Sequence, residues 1–474
     1  MSDHQPPEEA GLLSLFEARK KISPARVRGP FRRFKWAVMA VLLGIYYLLP
    51  WVRWDRGPGA PDQAILVDTI NRKFYFFFIE LWPQEVIYFT GLLLLSAMAL
   101  FFVTTLLGRV WCGYACPQTV WTDLFMVVER WVEGDRNARL KLDAAPWTLD
   151  KIRKRVVKHA IWLVIGLCTG GAWVFYFQDA PTLMADMLHG HVPFVAGFWV
   201  CLLTFSTYLL AGHAREQVCT YMCPYARFQG AMFDEESLIV SYDATRGEPR
   251  GKPSDKGAGD CVDCGRCVAV CPTGIDIRDG QQYQCINCAL CIDACDEVMI
   301  KLDRPKGLIR YNTLNNAVPS GARLRDLHKY VRFLRPRVLY YATIMAAVGG
   351  FMLFSMLTRH MVDLNVIHDR NPLYITRADG SVRNVYTVHI VNKTWAEQLY
   401  TLTMPDMPKA HLSAEDVSPS TDGQLVLTVK PGKVGTYRVY ADLPRGEVSG
   451  KASVDLHITN GTYADTYTSI FVAP

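Results

Sequence analysis

Five stretches of this chain are apolar enough, and long enough, to cross a lipid bilayer. They run approximately from Trp36 to Val52, Val86 to Leu107, His159 to Phe177, Val192 to Ala211 and Val338 to Leu357. A bilayer core of about 30 Å needs roughly 17 to 25 helical residues. Buried helices of soluble proteins rarely stay uncharged for so long. The pattern predicts five transmembrane helices: four over residues 36–211 and a fifth over 338–357.

Lysine and arginine are distributed unevenly around these five stretches. Eight precede the first, ten lie between Arg109 and Lys158, and six lie between Arg323 and Arg337, whereas the loop from Gln178 to His191 has none. Cytoplasmic loops carry the excess of basic residues. We therefore expect a multi-pass protein of the bacterial inner membrane, with a basic cytoplasmic arm over residues 1–35, flexible up to about residue 30. Residues 212–337 would be cytoplasmic, and those after about 358 periplasmic.

Beyond the fifth stretch, apolar and polar residues alternate with a period of two. The alternating segments are 385–391, 399–404, 424–429, 435–441 and 452–458. About seven short strands in a segment of this length are typical of an immunoglobulin-type β-sandwich. We expect an immunoglobulin-like domain over residues 365–474, which serves docking or stability because it contains no cysteine and no catalytic constellation.

The overall composition agrees with this mixture of membrane and water-exposed parts. The chain has 474 residues, of which 50% are hydrophobic and 20% charged, and its net charge is +6. Because the basic residues flank the apolar stretches, the positive balance reflects membrane topology, and we expect no nucleic-acid partner. Fourteen cysteines are present, and eight of them fall between Cys261 and Cys295.

These eight cysteines form two runs with the spacing C-x2-C-x2-C-x3-C. The first run is Cys261, Cys264, Cys267 and Cys271, and the second is Cys285, Cys288, Cys291 and Cys295. In bacterial two-cluster ferredoxins the fourth cysteine of each run binds the other cluster. We therefore predict two 4Fe-4S clusters in a ferredoxin-like domain over residues 240–310. Cys261, Cys264, Cys267 and Cys295 would hold one cluster, and Cys285, Cys288, Cys291 and Cys271 the other.

Other uses of these cysteines fit the pattern less well. Zinc prefers two separated pairs of ligands, disulfides are rare in the cytoplasm, and no C-x-x-C is followed by the histidine of a c-type haem site. The one departure from the ferredoxin pattern is Asp296, which stands where the first run has Pro272.

Four further cysteines form two pairs just past the second and fourth predicted helices. They are Cys112 and Cys116, then Cys219 and Cys223, each pair spaced C-x3-C and followed by proline. Proline is favoured at the first helical position, so Cys116 and Cys223 are expected at helix N-termini, where the helix dipole favours a thiolate. The pairs could bind Cu(I), form reversible disulfides or hold another iron–sulfur cluster.

Several residues near the pairs are interpreted more conservatively. Tyr114, Trp121, Tyr221 and Tyr225 are expected in an interfacial aromatic belt. His213 is expected to be an interfacial histidine, although it and Met222 are near enough in sequence to add a copper ligand. Cys168 and Cys201, inside the third and fourth stretches, are expected to be packing residues.

Taken together, these motifs resemble the CcoG family, also called FixG or RdxA, of cytochrome c oxidase accessory proteins. The resemblance runs from about residue 30 to the end, and rests on Trp111–Pro117, Cys219–Pro224, the eight ferredoxin cysteines and the immunoglobulin-like domain. It implies a membrane-bound cupric reductase that supplies Cu(I), through copper chaperones and assembly factors, to a cbb-type oxidase. Cys112, Cys116, Cys219 and Cys223 would then form the site of copper reduction, with copper bound only transiently.

Two other functions remain open at this point. The chain could be a quinol-linked ferredoxin-type electron-transfer subunit, or a non-redox scaffold for oxidase assembly. The C-terminal domain favours the copper and scaffold hypotheses, because a simple electron carrier does not need it. The electron donor stays unknown, since no Gly-x-Gly-x-x-Gly nucleotide fingerprint occurs.

Overall fold

The computed structural model describes residues 21–474 apart from 58–59, 256, 314, 316–331, 333, 416 and 418–423. The α-helices are α1 (Pro30–Leu48), α2 (Val86–Leu107), α3 (Pro117–Glu133), α4 (Arg136–Ala144), α5 (Leu149–Val174), α6 (Ala180–His189), α7 (Phe194–Thr207), α8 (Arg215–Gln217), α9 (Tyr225–Met232), α10 (Ala244–Gly247), α11 (Arg266–Val270), α12 (Leu290–Lys301) and α13 (Pro336–Leu357). Short π-helical turns lie at Trp111–Ala115, Tyr208–Ala214 and Val218–Met222.

The strands lie in three regions of the chain, over residues 65–81, 239–312 and 362–473. They are β1 (Ile65–Asp68), β2 (Lys73–Phe76), β3 (Ile79–Leu81), β4 (Ile239–Tyr242), β5 (Ile309–Asn312), β6 (Val362–His368), β7 (Ile375–Thr376), β8 (Val382–Asn392), β9 (Gln398–Thr403), β10 (His411–Ala414), β11 (Leu425–Val429), β12 (Val434–Leu443), β13 (Gly450–Thr459) and β14 (Ala464–Ala473). The chain divides into two compact units, one of Met1–Val52 with Ala64–Gly349 and one of Arg53–Gln63 with Gly350–Pro474.

Five helices in the described part of the chain are long and apolar enough to span a membrane. The candidate spans are Pro30–Trp51, Pro83–Leu107, Leu149–Val174, Phe194–Met222 and Pro336–Leu357. The number agrees with the prediction, but several helices extend beyond the apolar stretches. The first begins at Pro30 rather than near Trp36 and the third at Leu149 rather than near His159, because helical hydrogen bonding continues through charged turns that hydropathy excludes.

Two of the spans approach each other closely through glycine. A Cβ atom added to Gly170 of α5 would lie 2.7 Å from the carbonyl oxygen of Val200 on α7, and one added to Gly166 would lie 3.1 Å from that of Thr204. Small residues allow membrane helices to bring their backbones together. Cys168 and Cys201 lie on exposed faces of these two helices, so the expectation that they are packing residues is wrong.

The segment that precedes α1 is packed rather than free. The Ala25 N–H donates to the Ala269 carbonyl oxygen at 2.8 Å, and Ala25 and Val27 are buried. The expectation of a flexible arm is therefore wrong for residues 21–29. Residues 1–20 of that predicted arm lie outside the described residues.

The cysteine runs lie between two short strands that pair with each other. Strand β4 is antiparallel to β5, with Ile239 opposite Asn312 and Tyr242 opposite Ile309. This pairing brings together the two ends of the segment that contains all eight cysteines.

The second unit contains a β-sandwich with one sheet in the order β10-β12-β8-β6, to which β7 adds at β8, and another in the order β11-β9-β13-β14. Its core includes Tyr386 and Tyr400, both fully buried. The described residues form nine strands here instead of about seven. The polar edge strands β7 and β10 and the long β6 and β14 were missed, because their apolar alternation is weak or lies at the domain limits.

Candidate iron–sulfur and thiolate sites

The two cysteine runs adopt the same local backbone. Asp263 and Asn287, at equivalent positions, have φ of 50° and 53°, and Gly265 and Ala289, two residues later, have φ of 62° and 59°. Helices α11 and α12 begin directly after these left-handed residues. Backbone turns of this kind direct successive N–H groups into an anion-binding concavity, as in many iron–sulfur sites.

The cysteine side chains surround two cavities, and each cavity draws on both runs. One, of about 360 Å³, is lined by Cys261, Cys264, Cys267 and Cys295. The other, of about 370 Å³, is lined by Cys271, Cys285, Cys288 and Cys291, with Cys267 also at its wall. The residues present fit two cubane clusters, and which cysteines bind each cluster stays a prediction.

The surroundings of these thiols are largely apolar. Burial raises the pKa of Cys267 to about 11 and those of Cys285 and Cys295 to about 12. Buried thiolates without a partner are costly, whereas iron binding would release their protons and compensate their charge. The cavities are therefore suited to metal-bound thiolates.

The difference between Pro272 and Asp296 affects helix length. Proline cannot continue a helix, and α11 ends at Val270, before Pro272. Asp296 lets α12 run on to Lys301, and its carboxylate accepts the Gly307 N–H at 2.9 Å. The departure from the ferredoxin pattern thus ties the helix to the following loop, while Cys295 keeps its place at the first cavity.

Each C-x3-C-P segment is built on a π-helical turn. The Cys116 N–H donates to the Trp111 carbonyl oxygen and the Cys223 N–H to that of Val218, both at 2.8 Å and both five residues back. The two C-x3-C-P segments therefore share the same backbone turn. π-helical turns are rare and are found frequently at functional sites.

The two segments differ at their ends. Helix α3 begins at Pro117 with Cys116 at its N-cap, as predicted. Helix α9 begins at Tyr225, with Pro224 as the N-cap, so Cys223 lies one residue farther from the helix than predicted. The reason is that Pro224 is the N-cap of α9 and not its first helical residue.

The four thiols of the two pairs lie near one another. Cys219 is within electrostatic range of Cys116, Cys112 and Cys223, and Cys112 is buried, with its sulfur accepting from Gln229 Nε2 at 3.2 Å. Burial raises the pKa of the Cys112 thiol, although Gln229 and Arg109 oppose the effect. Within the described ranges, no group of three or more cysteine, histidine or acidic side chains converges closely enough to hold a single metal ion.

A buried carboxylate positions the segment before Cys219. The Glu129 carboxylate of α3 forms salt bridges with Arg215 Nη2 at 2.6 Å and with Arg139 Nη1 at 2.9 Å. Burial would raise the pKa of Glu129, but the cations around it, Arg215 first among them, lower it. The carboxylate is therefore held as an anion that ties α8 to α3.

The first C-x3-C-P segment packs directly on the loop of the second cysteine run. A Cβ atom on Gly113 would lie 2.6 Å from the Ile286 carbonyl oxygen and 3.1 Å from that of Asn287. The Tyr114 hydroxyl donates to the Cys288 carbonyl oxygen at 3.2 Å. Cys112 and Cys288 belong to one buried apolar cluster. The thiol pair at the end of α2 is thus adjacent to the cavity of Cys271, Cys285, Cys288 and Cys291.

Three residues of this contact were not identified from sequence. Tyr114 is buried, so its assignment to an interfacial belt is wrong. Arg109 donates to the Tyr283 carbonyl oxygen, and Gln229 donates to Cys112. The sequence marks Gly113 and Tyr114 only by their place inside the motif, and gives no signal for Gln229.

The two residues near enough in sequence to add a copper ligand have other surroundings. His213 stacks on His159, with ring centroids 5.7 Å apart, and Met222 is exposed.

Sequence families and relatives identify the domains. Residues 214–314 match the family described as a 4Fe-4S dicluster domain, residues 89–134 match a 4Fe-4S binding domain, and residues 352–474 match an IG-like fold at the C-terminus of FixG. The expected iron–sulfur and immunoglobulin-like domains are confirmed. The first C-x3-C-P segment lies within the residues that match the second of these families.

Three full-length relatives are similar over most of the chain. The nitrogen fixation protein FixG of Rhizobium meliloti is 52% identical over 91% of this chain and 88% of its own. Protein RdxB of Cereibacter sphaeroides is 50% identical over 93% and 92%, and protein RdxA of the same organism is 45% identical over 94% of each.

Paired substitutions can test the crossed ligand sets. If Cys261 and Cys295 serve the same cluster, a Cys261→Ser/Cys295→Ser variant loses one cluster and keeps about four iron atoms per chain. Cys261→Ser/Cys271→Ser affects both clusters and should keep almost none. Iron analysis after anaerobic purification gives the answer, and the reverse pattern would mean that each run holds its own cluster.

Proposed function

Because this chain belongs to the FixG family of membrane-associated 4Fe-4S electron-transfer proteins, we propose that it reduces Cu(II) to Cu(I) at the thiols of its C-x3-C-P segments. The Cu(I) would pass to copper chaperones for assembly of a cbb-type oxidase. The observation that carries the proposal is the contact of Gly113 and Tyr114 with the loop of the second cysteine run.

The proposed reaction needs a source of single electrons and a site that stabilises the product. Bound 4Fe-4S clusters supply one-electron transfer, and Cys261, Cys264, Cys267, Cys295 and Cys271, Cys285, Cys288, Cys291 would hold them. Soft thiolate ligands favour Cu(I). Each Cu(II) takes one electron and leaves as Cu(I), so the thiols themselves need not be oxidised. Cys112 is buried beside the cluster loop, whereas Met222, next to Cys223, is exposed.

Substitution of the paired cysteines tests this proposal. Loss of a group that only orients a metal ligand lowers metal affinity or activity about 10- to 100-fold. Because Cys112 and Cys219 are proposed as ligands themselves, Cys112→Ser and Cys219→Ser should each slow Cu(I) formation by at least about tenfold. Dithionite-reduced protein, Cu(II) and a Cu(I)-specific chelator provide the assay. Cys168→Ser and Cys201→Ser are matched controls, because both cysteines lie on exposed helix faces.

The iron content of the same variants separates the remaining alternatives. If the pairs hold a further cluster, Cys112→Ser loses about four iron atoms per chain; under the copper proposal its iron content is unchanged. A non-redox scaffold would support oxidase assembly as well with Cys112→Ser as with Cys168→Ser, which would refute the reductase.

A cavity beside the second cysteine run favours quinol-linked electron transfer as a second candidate. It has a volume of about 800 Å³ and is lined by Arg109, Gln229, Tyr283 and Cys285, among others. Arg109 Nε and Gln229 Oε1 are buried there without a hydrogen-bond partner in the described structure. A quinol hydroxyl could donate to the amide oxygen, and a quinone carbonyl could accept from the guanidinium.

Anaerobic addition of decylubiquinol to the oxidised protein tests this candidate. Rapid reduction of the iron–sulfur chromophore, slowed in Gln229→Leu but not in a Gln424→Leu control, whose side chain is exposed outside this cavity, would support a quinol donor. Absence of reduction by the quinol, with normal reduction by dithionite, would contradict it.

We also propose the orientation that the basic residues indicate, with the cysteine domain in the cytoplasm and the C-terminal domain in the periplasm. Alkaline phosphatase fused after Pro474 should be active, because the enzyme requires periplasmic disulfides. A fusion after Asn312 should be inactive. The opposite activities would reverse the orientation.

A further inference from the structure

A basic groove lies where the first membrane helix begins. It has a volume of about 1,640 Å³ and is lined by residues on the segment before α1, the first turns of α1 and the end of α3. Its arginines are Arg26, Arg28, Arg32, Arg33 and Arg130, and its apolar residues are Val27, Trp36, Val127 and Trp131. Among the described residues, no acidic side chain lines it.

Two of these arginines have buried nitrogens without a hydrogen-bond partner in the part of the chain that is described. They are Arg32 Nη2 and Arg130 Nε. Arg32 is only 7% exposed, and its other terminal nitrogen, Nη1, binds Asp123 at 2.8 Å. The same carboxylate also faces Lys35, whose Nζ is 3.9 Å away. One anion thus faces two buried cations, which leaves positive charge uncompensated.

The first backbone N–H groups of α1 cannot bind the anion, because they already donate to the Asp293 carboxylate. The Arg32 N–H donates to Asp293 Oδ2 at 2.7 Å and the Phe31 N–H to Oδ1 at 3.3 Å. The guanidinium groups therefore carry the attraction for an anion. Burial, followed by the nearby Arg32 charge, lowers the pKa of Arg130 to about 10.

The groove is at the level where a membrane surface would meet the helix. Trp36 is 45% and Trp131 77% exposed, and tryptophan is enriched at the headgroup level of membrane proteins. A soluble anion would gain little from this apolar wall. A phospholipid presents a phosphate to the arginines and acyl chains to the apolar residues, and basic pockets between membrane helices are known to bind anionic lipid headgroups.

We propose that this groove is a binding site for an anionic phospholipid. Its phosphate would lie between Arg32 and Arg130, with Arg28 and Arg33 at the rim and the acyl chains against Trp36. The site is separate from the cysteine cavities, so the proposal does not depend on copper reduction.

Native mass spectrometry of the full-length protein in detergent, with equal amounts of phosphatidylglycerol and phosphatidylcholine, tests the proposal. We expect selective retention of phosphatidylglycerol. An arginine near an anionic lipid contributes a factor of about five in affinity, so Arg28→Gln/Arg33→Gln should weaken retention about 25-fold. Both side chains are exposed, and the buried Arg32–Asp123 pair remains intact in this variant.

The control variant is Arg153→Gln/Arg227→Gln, which removes two exposed arginines outside the groove. It should retain phosphatidylglycerol as the wild type does. Equal retention of the two lipids, or equal losses in the two variants, would overturn the proposal. Displacement of the lipid by millimolar inorganic phosphate would show a general anion site and would also overturn it.

Discussion

The close approach of Gly113 to the loop between Cys285 and Cys288 is the contact on which the arrangement of the site depends. At this position any side chain would meet backbone carbonyl oxygens, which cannot rotate away. The contact is tightened by the Tyr114 hydroxyl bond to Cys288. It places a thiol pair from the end of a membrane helix against the protein shell of an iron–sulfur cavity. A separate, flexibly linked ferredoxin domain could not hold such a fixed relation.

The same domain is also held at the start of the first membrane helix. Asp293 lies between two cysteines of α12, and its carboxylate accepts the first N–H groups of α1. An anion at a helix N-terminus is favoured by the helix dipole. Gly29 permits this contact, because a Cβ atom there would lie 2.2 Å from the Asp293 side chain. The cysteine domain is therefore attached both to the start of α1 and to the turn that follows α2, and its position would respond to changes at either place.

The sequence predicts the parts of this molecule better than the contacts between them. Hydropathy predicts the membrane helices, and the cysteine spacing predicts which side chains surround each cavity, because both depend on short-range periodicity. The packing of Gly113 and the role of Gln229 depend on residues more than a hundred positions apart, for which the chain carries no local signal. Pro224 shows the same limit on a smaller scale: proline allows a helix start but does not fix whether it serves as the cap or the first residue.

The central claim, that the thiol pair and the cluster loop form one electron-transfer unit, can be tested by a single-turnover experiment on Gly113→Ala. Reduced protein is mixed with Cu(II), and freeze-quench EPR follows the Cu(II) and iron–sulfur signals together. Gly171→Ala is the control, because a Cβ atom at Gly171 meets nothing within 4 Å. The account predicts that Gly113→Ala keeps its iron. Its Cu(II) and reduced iron–sulfur signals should decay together, and more slowly than those of the wild type. Unchanged rates in Gly113→Ala, with full iron content, would contradict it.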